Sequence, residues 1–251
     1  MDTALPDHLA YVAAAIFVGA FVQGATGFGF SLLVVPIATA LLGLKTAVPM
    51  MNLLSVLLTT QILYTNRRGI LWGESLRLMA AALPGLALGI AFLRLGDTES
   101  VKRLLGLLLL SYALYALTRE MRVPATATAV ERESRPWLNA LAGFSSGFFG
   151  GACATDGPPV VVYGNLQGWP QERFRSILQA FFVFTGLMLT AVNLAAGFLT
   201  WHIITLVLLT TPVMYAASLL GNLASGRLDP RRFRFAVLTL VLLMGANLLL
   251  R

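Results

Sequence analysis

Ser176 to Gly226 is a run of 51 residues without a single Asp, Glu, Lys or Arg. As one straight α-helix, the run would be about 77 Å long at 1.5 Å per residue. About 20 apolar residues are enough to cross the roughly 30 Å hydrocarbon core of a bilayer. The run therefore predicts two membrane-spanning helices that fold back on each other, and we place the turn at Gly197–His202.

The composition of the whole chain agrees with a membrane protein. Of its 251 residues, 57% are hydrophobic and 12% are charged, whereas soluble chains carry about twice that charged share. The net charge of +7 does not indicate nucleic acid, because the basic residues are scattered between apolar runs. A single cysteine, Cys153, and two histidines give no disulfide framework and no metal-ligand cluster. We expect the lipid bilayer as a partner, and neither nucleic acid, metal nor cofactor.

Leu9 to Leu44 is a second charge-free run, and its 36 residues are too many for one crossing. We place a break at residues 24–31 (GATGFGFS) and a matching break at residues 150–159 (GGACATDGPP). The apolar segments number eight, four on each side of one hydrophilic stretch. The sequence thus predicts an all-α membrane protein of about eight transmembrane or re-entrant helices in two homologous four-helix repeats with pseudo-twofold symmetry. The first repeat covers residues 1–118, a hydrophilic linker covers 119–136, and the second repeat covers 137–251.

The two halves align with each other. An offset of 123 places three residues of the first half on identical residues of the second, namely Gly24 on Gly147, Gly27 on Gly150 and Pro36 on Pro159. An offset of 132 places Gly89 on Gly221 and Asp97 on Asp229. Duplicated halves with interrupted helices are typical of secondary transporters whose site lies where the repeats meet. The alternative is an old duplication that preserves only packing.

The sequence leaves the relative orientation of the repeats open. Four full crossings in each half would make the repeats parallel, whereas a re-entrant leading segment would leave an odd number of crossings and make them inverted. If every element crosses, the loops after the first, third, fifth and seventh elements hold ten basic residues and the other loops hold six. This small excess favours the first group as cytoplasmic under the positive-inside rule.

Both breaks combine glycine with neutral polar side chains. Irregular backbone at membrane depth is tolerated where it is buried in protein or lines a water-filled cavity. A helix that starts near Pro158 would turn its free N–H groups and positive dipole end toward the second break, and such helix starts bind anions. The alternative is that the glycines are helix-packing contacts. The residues of the two breaks that we predict to bind substrate are Gln23, Gly24, Thr26, Gly27, Gly29, Ser31, Ser146, Gly150, Gly151, Thr155 and Gly157.

Four residues near the breaks have further predicted roles. Asp156 is the carboxylate most deeply embedded in apolar sequence, and we predict that it carries a proton; its alternative role is that of a helix N-cap. Asn52 and Gln179 align across the halves and are predicted to contact substrate directly. Arg175 is predicted to clamp an anion, with snorkelling to the membrane interface as the alternative.

These motifs resemble the sulfite exporter TauE/SafE family of bacterial, archaeal and plant membrane proteins. The resemblance covers nearly the whole chain and rests on the order of its motifs, which are Gly24-x-x-Gly27-x-Gly29 with Pro36, Gly147-x-x-Gly150-Gly151 with Gly157-Pro158-Pro159, Arg173-Phe-Arg175, and the stretch from Gly221 to Asp229. It implies transport of sulfur-containing anions such as sulfite, sulfoacetate or related organosulfonates, often as export after sulfonate breakdown. The sequence departs from the usual glycine-rich second motif at Ala152 to Asp156, which leaves the particular substrate and the coupling ion open.

We therefore expect a multi-pass transporter of the cell inner membrane, not an enzyme, that exports a small sulfur-containing anion by alternating access with linkage to protons. An uncoupled anion channel or uniporter and a non-transporting assembly subunit are the alternatives. The small anion is the expected partner, and the sequence leaves a homodimer open.

Overall fold

The structure is a computed structural model that describes residues 4–66, 71–122, 134–225 and 229–250. This described part consists of α-helices joined by short turns and contains no strand. The ten helices, in chain order, are α1 (Ala4–Thr26), α2 (Phe30–Leu42), α3 (Leu44–Asn66), α4 (Trp72–Leu95), α5 (Thr98–Arg122), α6 (Pro136–Cys153), α7 (Gly157–Gln167), α8 (Gln171–Ala195), α9 (Trp201–Ala224) and α10 (Pro230–Leu250).

Seven of these helices are long and apolar enough to cross a bilayer, namely α1, α3, α4, α5, α8, α9 and α10. The chain is therefore a multi-pass membrane protein, as predicted. Helices α2, α6 and α7 are shorter, with 13, 18 and 11 residues. The ten helices correspond to the eight predicted elements when α1–α2 and α6–α7 are each counted as one broken element.

The first break is the tip of a helical hairpin, because α2 runs back along α1. Gly19 of α1 packs against Phe30 and Val34 of α2, so closely that a Cβ atom on Gly19 would overlap the Val34 side chain. Further from the tip, Tyr11 of α1 lines the same crevice as residues 36–41 of α2. The chain therefore enters and leaves this hairpin at one end of the molecule.

The second break is the tip of another hairpin, formed by α6 and α7. Near the tip, the Ser146 hydroxyl donates a hydrogen bond to the backbone carbonyl of Asp156. At the open end, the Asn139 side chain donates to the Tyr163 hydroxyl at 3.4 Å. Because both pairs join α6 to α7 at opposite ends, α7 returns along α6.

The helices begin and end close to the predicted positions, and both breaks are shorter than predicted. Residues 27–29 and 154–156 are the only non-helical residues of the predicted breaks at 24–31 and 150–159. Helix α7 begins at Gly157 with Pro158 in its first turn, as predicted. The turn predicted at residues 197–202 lies at residues 196–200, because α9 already begins at Trp201. Residues 119–122 of the predicted linker continue α5, and residues 123–133 lie outside the described part.

The helices pack in four main pairs: α1 with α9, α4 with α6, α3 with α8, and α5 with α10. Glycines allow the closest approaches. Gly24 of α1 lies against the Ser218 carbonyl of α9, and Gly147 of α6 lies against the Ala82 carbonyl of α4. In each case there is no room for a Cβ atom, so two backbones are in direct contact deep in the protein.

One end of the molecule gathers the end of α5, the end of α7 and the starts of α8 and α10, whose residues line a common cavity. We call it the vestibule end. The opposite end, where the start of α5 lies beside α2 and the end of α10, is the far end. Helices α5 and α10 are antiparallel, because Gly106 in the first half of α5 packs against Leu249 near the end of α10. The first hairpin opens at the far end and the second at the vestibule end.

Candidate transport site

The first hairpin tip consists of Gly27, Phe28 and Gly29, and both glycines adopt backbone conformations that favour glycine. Gly27 has φ +90° and Gly29 has φ +113°, values that L side chains rarely adopt. Between them, the Phe28 ring packs edge-on against Tyr112 and Phe174 at centroid distances of 6.4 and 6.2 Å. The tip is therefore fixed by aromatic packing as well as by the turn.

Three polar side chains hold the backbone of this tip. Gln23 accepts a hydrogen bond from the Phe30 N–H at 3.1 Å and so caps the start of α2. From α8, Gln179 donates to the Gly27 carbonyl and Arg175 donates to the Ala25 carbonyl. Each of these groups satisfies a backbone atom that the break has removed from the helix ladder.

The same three side chains keep polar atoms without a partner. Gln23 Nε2, Gln179 Oε1 and Arg175 Nε are buried and form no hydrogen bond. A buried polar atom that lacks a partner costs about 1–3 kcal/mol. Two N–H donors and one acceptor at one break are thus available to a small polar ligand, provided that the tip moves to admit it.

The second hairpin tip consists of Ala154, Thr155 and Asp156. Ala154 has φ +52°, in the left-handed region, and ends α6. Asp156 is at the N-cap position of α7, but its side chain makes no capping hydrogen bond. Instead, its Oδ2 accepts a hydrogen bond from the Thr185 hydroxyl of α8 at 2.5 Å. No ion pair to Asp156 is found among the residues that the structure describes.

A small polar cavity lies between α3, α8 and the second tip. Its lining includes Asn52, Ser55, Asp156 and Thr185, and its volume of about 10 Å³ leaves room for about one water molecule. Asn52 donates hydrogen bonds to the Thr190 hydroxyl at 2.8 Å and to the Gly186 carbonyl at 3.3 Å, which fixes α3 against α8.

Both hairpin tips contact the same helix, α8. The first tip contacts Arg175 and Gln179, and the second contacts Phe182 and Thr185. Gln179 and Thr185 are six residues apart, which is about 9 Å along a helix. The tips therefore reach neighbouring depths from opposite ends of the molecule, and α8 is the element that connects them.

A vestibule of about 220 Å³ leads from the vestibule end to the first tip. Thr26 and Phe28 of the tip lie in its wall, and Arg119, Glu120 and Arg234 are its charged lining residues. The Thr26 hydroxyl lies 2.9 Å from the Val22 carbonyl and 2.7 Å from the Phe28 carbonyl, so it bridges α1 and the tip. The vestibule thus ends on the broken backbone.

Comparison with protein families identifies the chain. The sequence profile of the sulfite exporter TauE/SafE family matches residues 11–248, almost the full length. The chain belongs to this family. No curated protein and no solved structure matches it significantly. The TauE/SafE family is a family of membrane transporters, which agrees with the expectation that the chain is not an enzyme.

In this TauE/SafE protein, the structure brings most of the predicted site residues to the two tips. The residues gathered at the first tip are Gln23, Thr26, Gly27, Gly29, Arg175 and Gln179. Those at or beside the second tip are Asn52, Ser146, Gly150, Thr155, Asp156 and Gly157. Their role in binding substrate stays a prediction.

Other predicted residues have structural environments of their own. Gly24 and Gly151 are packing contacts, since a Cβ atom on Gly151 would lie 2.5 Å from the Leu86 carbonyl oxygen of α4. The Thr155 hydroxyl donates to the Cys153 carbonyl at 3.1 Å and so faces its own hairpin. Ser31 is half-buried in the first turn of α2. Cys153 is buried, and the described residues contain no group of three or more potential metal ligands.

The sequence reasoning missed Thr185, Ser55 and the two vestibule arginines. Thr185 could have been found, because polar or small residues recur along α8 at spacings of three, four or seven, which lie on one helix face, at Arg175, Gln179, Gly186, Thr190 and Asn193. Such a stripe indicates a polar face, and Thr185 borders it. Arg119 and Arg234 gave no such signal, since each lies in a charged segment typical of a membrane interface.

Proposed function

We propose that this TauE/SafE protein exports a small sulfur-containing anion, such as sulfite or an organosulfonate, across the cytoplasmic membrane by alternating access. The observation that carries this proposal is the first hairpin tip. Broken backbone, two glutamines and an arginine meet there, with buried polar atoms left without partners. Amide and guanidinium groups donate hydrogen bonds to oxyanions in proteins. The tip also lies in the wall of an open vestibule, through which an anion can approach it.

The distribution of basic residues supports a cytoplasmic vestibule. Each hairpin enters and leaves at one end of the molecule and so does not cross the membrane. The loops after a hairpin therefore lie on the opposite side from where they would lie if every element crossed. The count of ten basic residues in one set of loops against six in the other, which assumed eight crossings, no longer applies. Near the vestibule end, the described basic residues of these segments include Arg77, Arg119, Arg122, Arg135, Arg173, Arg175, Arg232 and Arg234. Near the far end they are Lys45, Arg94, Lys102 and Arg103. The positive-inside rule then favours the vestibule end as cytoplasmic, which suits loading for export.

We propose that the halves are inverted repeats. A hairpin followed by three crossing helices gives each half an odd number of crossings, which reverses the second half relative to the first. The helix pairs support this symmetry: when each helix is exchanged for the one five places away in chain order, α1–α9 becomes α6–α4, and both α3–α8 and α5–α10 become themselves. The N-caps agree, since Asp97 accepts from the Ser100 N–H and Asp229 from the Arg232 N–H.

Glycine contacts give the proposed repeats a register. Gly24 packs on Ser218 as Gly147 packs on Ala82, and Gly221 packs on Phe21 as Gly85 packs on Phe144. These two sets of contacts superimpose when residues of α1 are matched to residues of α6 at an offset of 123 and residues of α4 to residues of α9 at an offset of 136. The second offset exceeds by four residues, about one helical turn, the offset of 132 that aligns Asp97 with Asp229. The small shift is consistent with an insertion between the glycine contact and the following N-cap.

Asp156 is the proposed site of proton linkage. It lines the cavity between α3 and α8, and no described cation pairs with it. An ionisable residue at membrane depth without a charged partner is a candidate proton carrier. Its protonation would remove a negative charge beside α8, the helix that both tips contact, and so couple the state of the second tip to that of the first.

Flux measurements on purified protein in liposomes test the proposal. We expect uptake of labelled sulfite or sulfoacetate, in preference to sulfate, that increases when a pH gradient is imposed. Flux that is driven by membrane potential alone, without a response to the pH gradient, would indicate the uncoupled alternative. Absence of flux for every sulfur anion would remove the proposed transport function and leave the assembly-subunit alternative.

A further inference from the structure

Two arginines from different halves of the chain meet in the vestibule. Arg119 lies in the last turn of α5, and Arg234 lies near the start of α10. The two side chains share one cavity because α5 and α10 pack antiparallel, so that the end of one helix lies beside the start of the other.

The positive charges extend from the vestibule mouth toward the first tip. Arg119 and Arg234 line the same cavity as Tyr112, whose ring packs against Phe28 of the first tip. At the inner end of the cavity, Phe28 belongs to the first tip, and Phe174 precedes Arg175, whose side chain contacts Gly27 of the tip. Glu120 is the only carboxylate among the lining residues, so positive charge exceeds negative charge in the cavity.

The walls of the vestibule strengthen the effect of these charges. Phe28, Tyr112, Trp169 and Phe174 are the aromatic lining residues, and their rings place apolar surface beside the charges. In surroundings of low polarity, charges interact more strongly than in water, and a cleft lined by one sign of charge concentrates ions of the opposite sign. The planar guanidinium group also matches the geometry of an oxyanion with two parallel hydrogen bonds.

We propose that Arg119 and Arg234 form a loading site that captures the oxyanion in the vestibule before it reaches the first hairpin tip. This inference rests on the proposed transport function and adds an anion-binding position to it, on residues outside both tips. The ligand class is a small oxyanion such as sulfite or a short organosulfonate.

Substitution of the arginines tests the loading site. The variants are Arg119→Gln, Arg234→Gln and the double variant, with Arg122→Gln and Arg232→Gln as matched controls. Both control residues are exposed on the same two helix ends and do not line the vestibule. The measurement is the initial rate of labelled sulfite flux in liposomes against sulfite concentration, at low and at high ionic strength.

The loading site predicts a defined pattern in these rates. At low ionic strength, the double variant raises the KM for sulfite by about tenfold with nearly unchanged maximal rate, since electrostatic steering contributes at least that factor in charged clefts. Added salt raises the KM of the wild type and of the controls and hardly changes that of the double variant, because salt screens the vestibule charge.

Chemical restoration of the charge separates electrostatics from packing. The Arg119→Cys variant, labelled with aminoethyl maleimide, regains a positive charge through a thioether that sulfite does not cleave. Labelling should recover most of the lost affinity, whereas labelling with the uncharged ethyl maleimide should not. The native Cys153 is buried, so the wild-type protein treated with the same reagents should not be labelled and serves as the control.

The outcomes distinguish the two proposals. A wild type that carries neither sulfite nor sulfoacetate overturns the proposed function. A wild type that carries sulfite, together with a double variant of unchanged KM and unchanged salt dependence, overturns the loading site alone. A fall in maximal rate at unchanged KM, or equal recovery with the charged and the uncharged label, also contradicts it.

Discussion

The hydroxyl of Thr185 lies 2.5 Å from Oδ2 of Asp156 and 3.1 Å from the backbone carbonyl of Phe181. Because a hydroxyl has one hydrogen, it can donate to only one of these acceptors at a time. It donates to the carboxylate when Asp156 is ionised. When Asp156 is protonated, the carboxyl group can donate to Thr185 while Thr185 donates to Phe181. Thr185 thus provides a hydrogen-bond partner for both protonation states.

Replacement of Asp156 by asparagine should remove the response of transport to a pH gradient. The amide keeps the shape of the side chain and its hydrogen bond to Thr185 but cannot exchange a proton. We expect residual sulfite flux that is the same with and without the gradient, measured in liposomes with matched protein content. A variant that keeps full pH-driven flux would show that the proton is carried elsewhere.

Asp97→Asn is the matched control for this experiment. Asp97 lies outside the membrane spans, in the turn before α5, and hydrogen bonds from Ser100 keep the pKa of its carboxyl group below the ordinary value. A lowered pKa means that Asp97 is ionised throughout a transport assay near neutral pH and loses its charge only in strong acid. Its neutral variant should therefore respond to the pH gradient as the wild type does.

Thr185→Val should alter the pH dependence of transport, whereas Thr185→Ser should preserve it. Valine keeps the volume but removes the hydroxyl, and a hydrogen bond to a charged group contributes about 1.5–3 kcal/mol. We expect the rate near neutral pH to fall by about tenfold or more, which corresponds to about 1.4 kcal/mol in the barrier. Thr205→Val on α9 is a control, because the Thr205 hydroxyl is exposed and bonds only to the Trp201 carbonyl. Equal pH profiles for valine and threonine at position 185 would contradict the role of Thr185 as hydrogen-bond partner of both protonation states of Asp156.

Most of the helical organisation could be predicted from the sequence. The charge-free runs, Pro158 and the turn before Trp201 have direct physical consequences for helix length, start and end, and each is confirmed. The direction of the chain after each break could not be predicted. Hydropathy shows that a long run must break but not the angle, and α2 is as apolar after Gly29 as a continued span would be. The close contact of Gly19 with Val34, which closes the first hairpin, depends on tertiary structure.

For the candidate site, the sequence predicts many of the residues but not how the structure brings them together. Glycine and amide side chains near the breaks can be found in the sequence because they interrupt apolar patterns, and the structure gathers Gln23 and Gln179 at one tip. What the sequence could not predict is which helix receives both tips. That role belongs to α8 through Arg175 and Thr185, whose contacts bridge residues 150 and 29 positions apart.

Gly27→Ala should impair both stability and transport more than Gly43→Ala does. Both glycines have positive φ, +90° and +75°, so each substitution costs about 1–3 kcal/mol in backbone strain. A Cβ atom on Gly27 would also lie 2.8 Å from Arg175 Cγ, whereas one on Gly43 would have no neighbour within 4 Å. Thermal unfolding in detergent and sulfite flux measure the two effects. Equal losses at the two positions would show that the tip does not depend on its contact with Arg175.

Gly24→Ala and Gly147→Ala should destabilise the protein by similar amounts. Each Cβ atom would overlap a backbone carbonyl, of Ser218 and Ala82 respectively, and overpacking of this kind costs about 1–3 kcal/mol. Gly73→Ala is the control, since the added methyl group has no neighbour within 4 Å and alanine favours the helix. The comparison of unfolding midpoints also tests the repeat proposal, because a large loss at only one of the two positions would contradict their equivalence.

The substrate site at the first hairpin tip is tested most directly by the sulfite flux of the Gln23→Ala, Gln179→Ala double variant. The control is Asn222→Ala, which removes an exposed amide side chain on α9. If the first hairpin tip binds the anion, the double variant, reconstituted at wild-type level and with wild-type helix content, should lose nearly all sulfite flux while the control keeps it. A folded double variant that carries sulfite with the wild-type KM and maximal rate would contradict a substrate site at the tip.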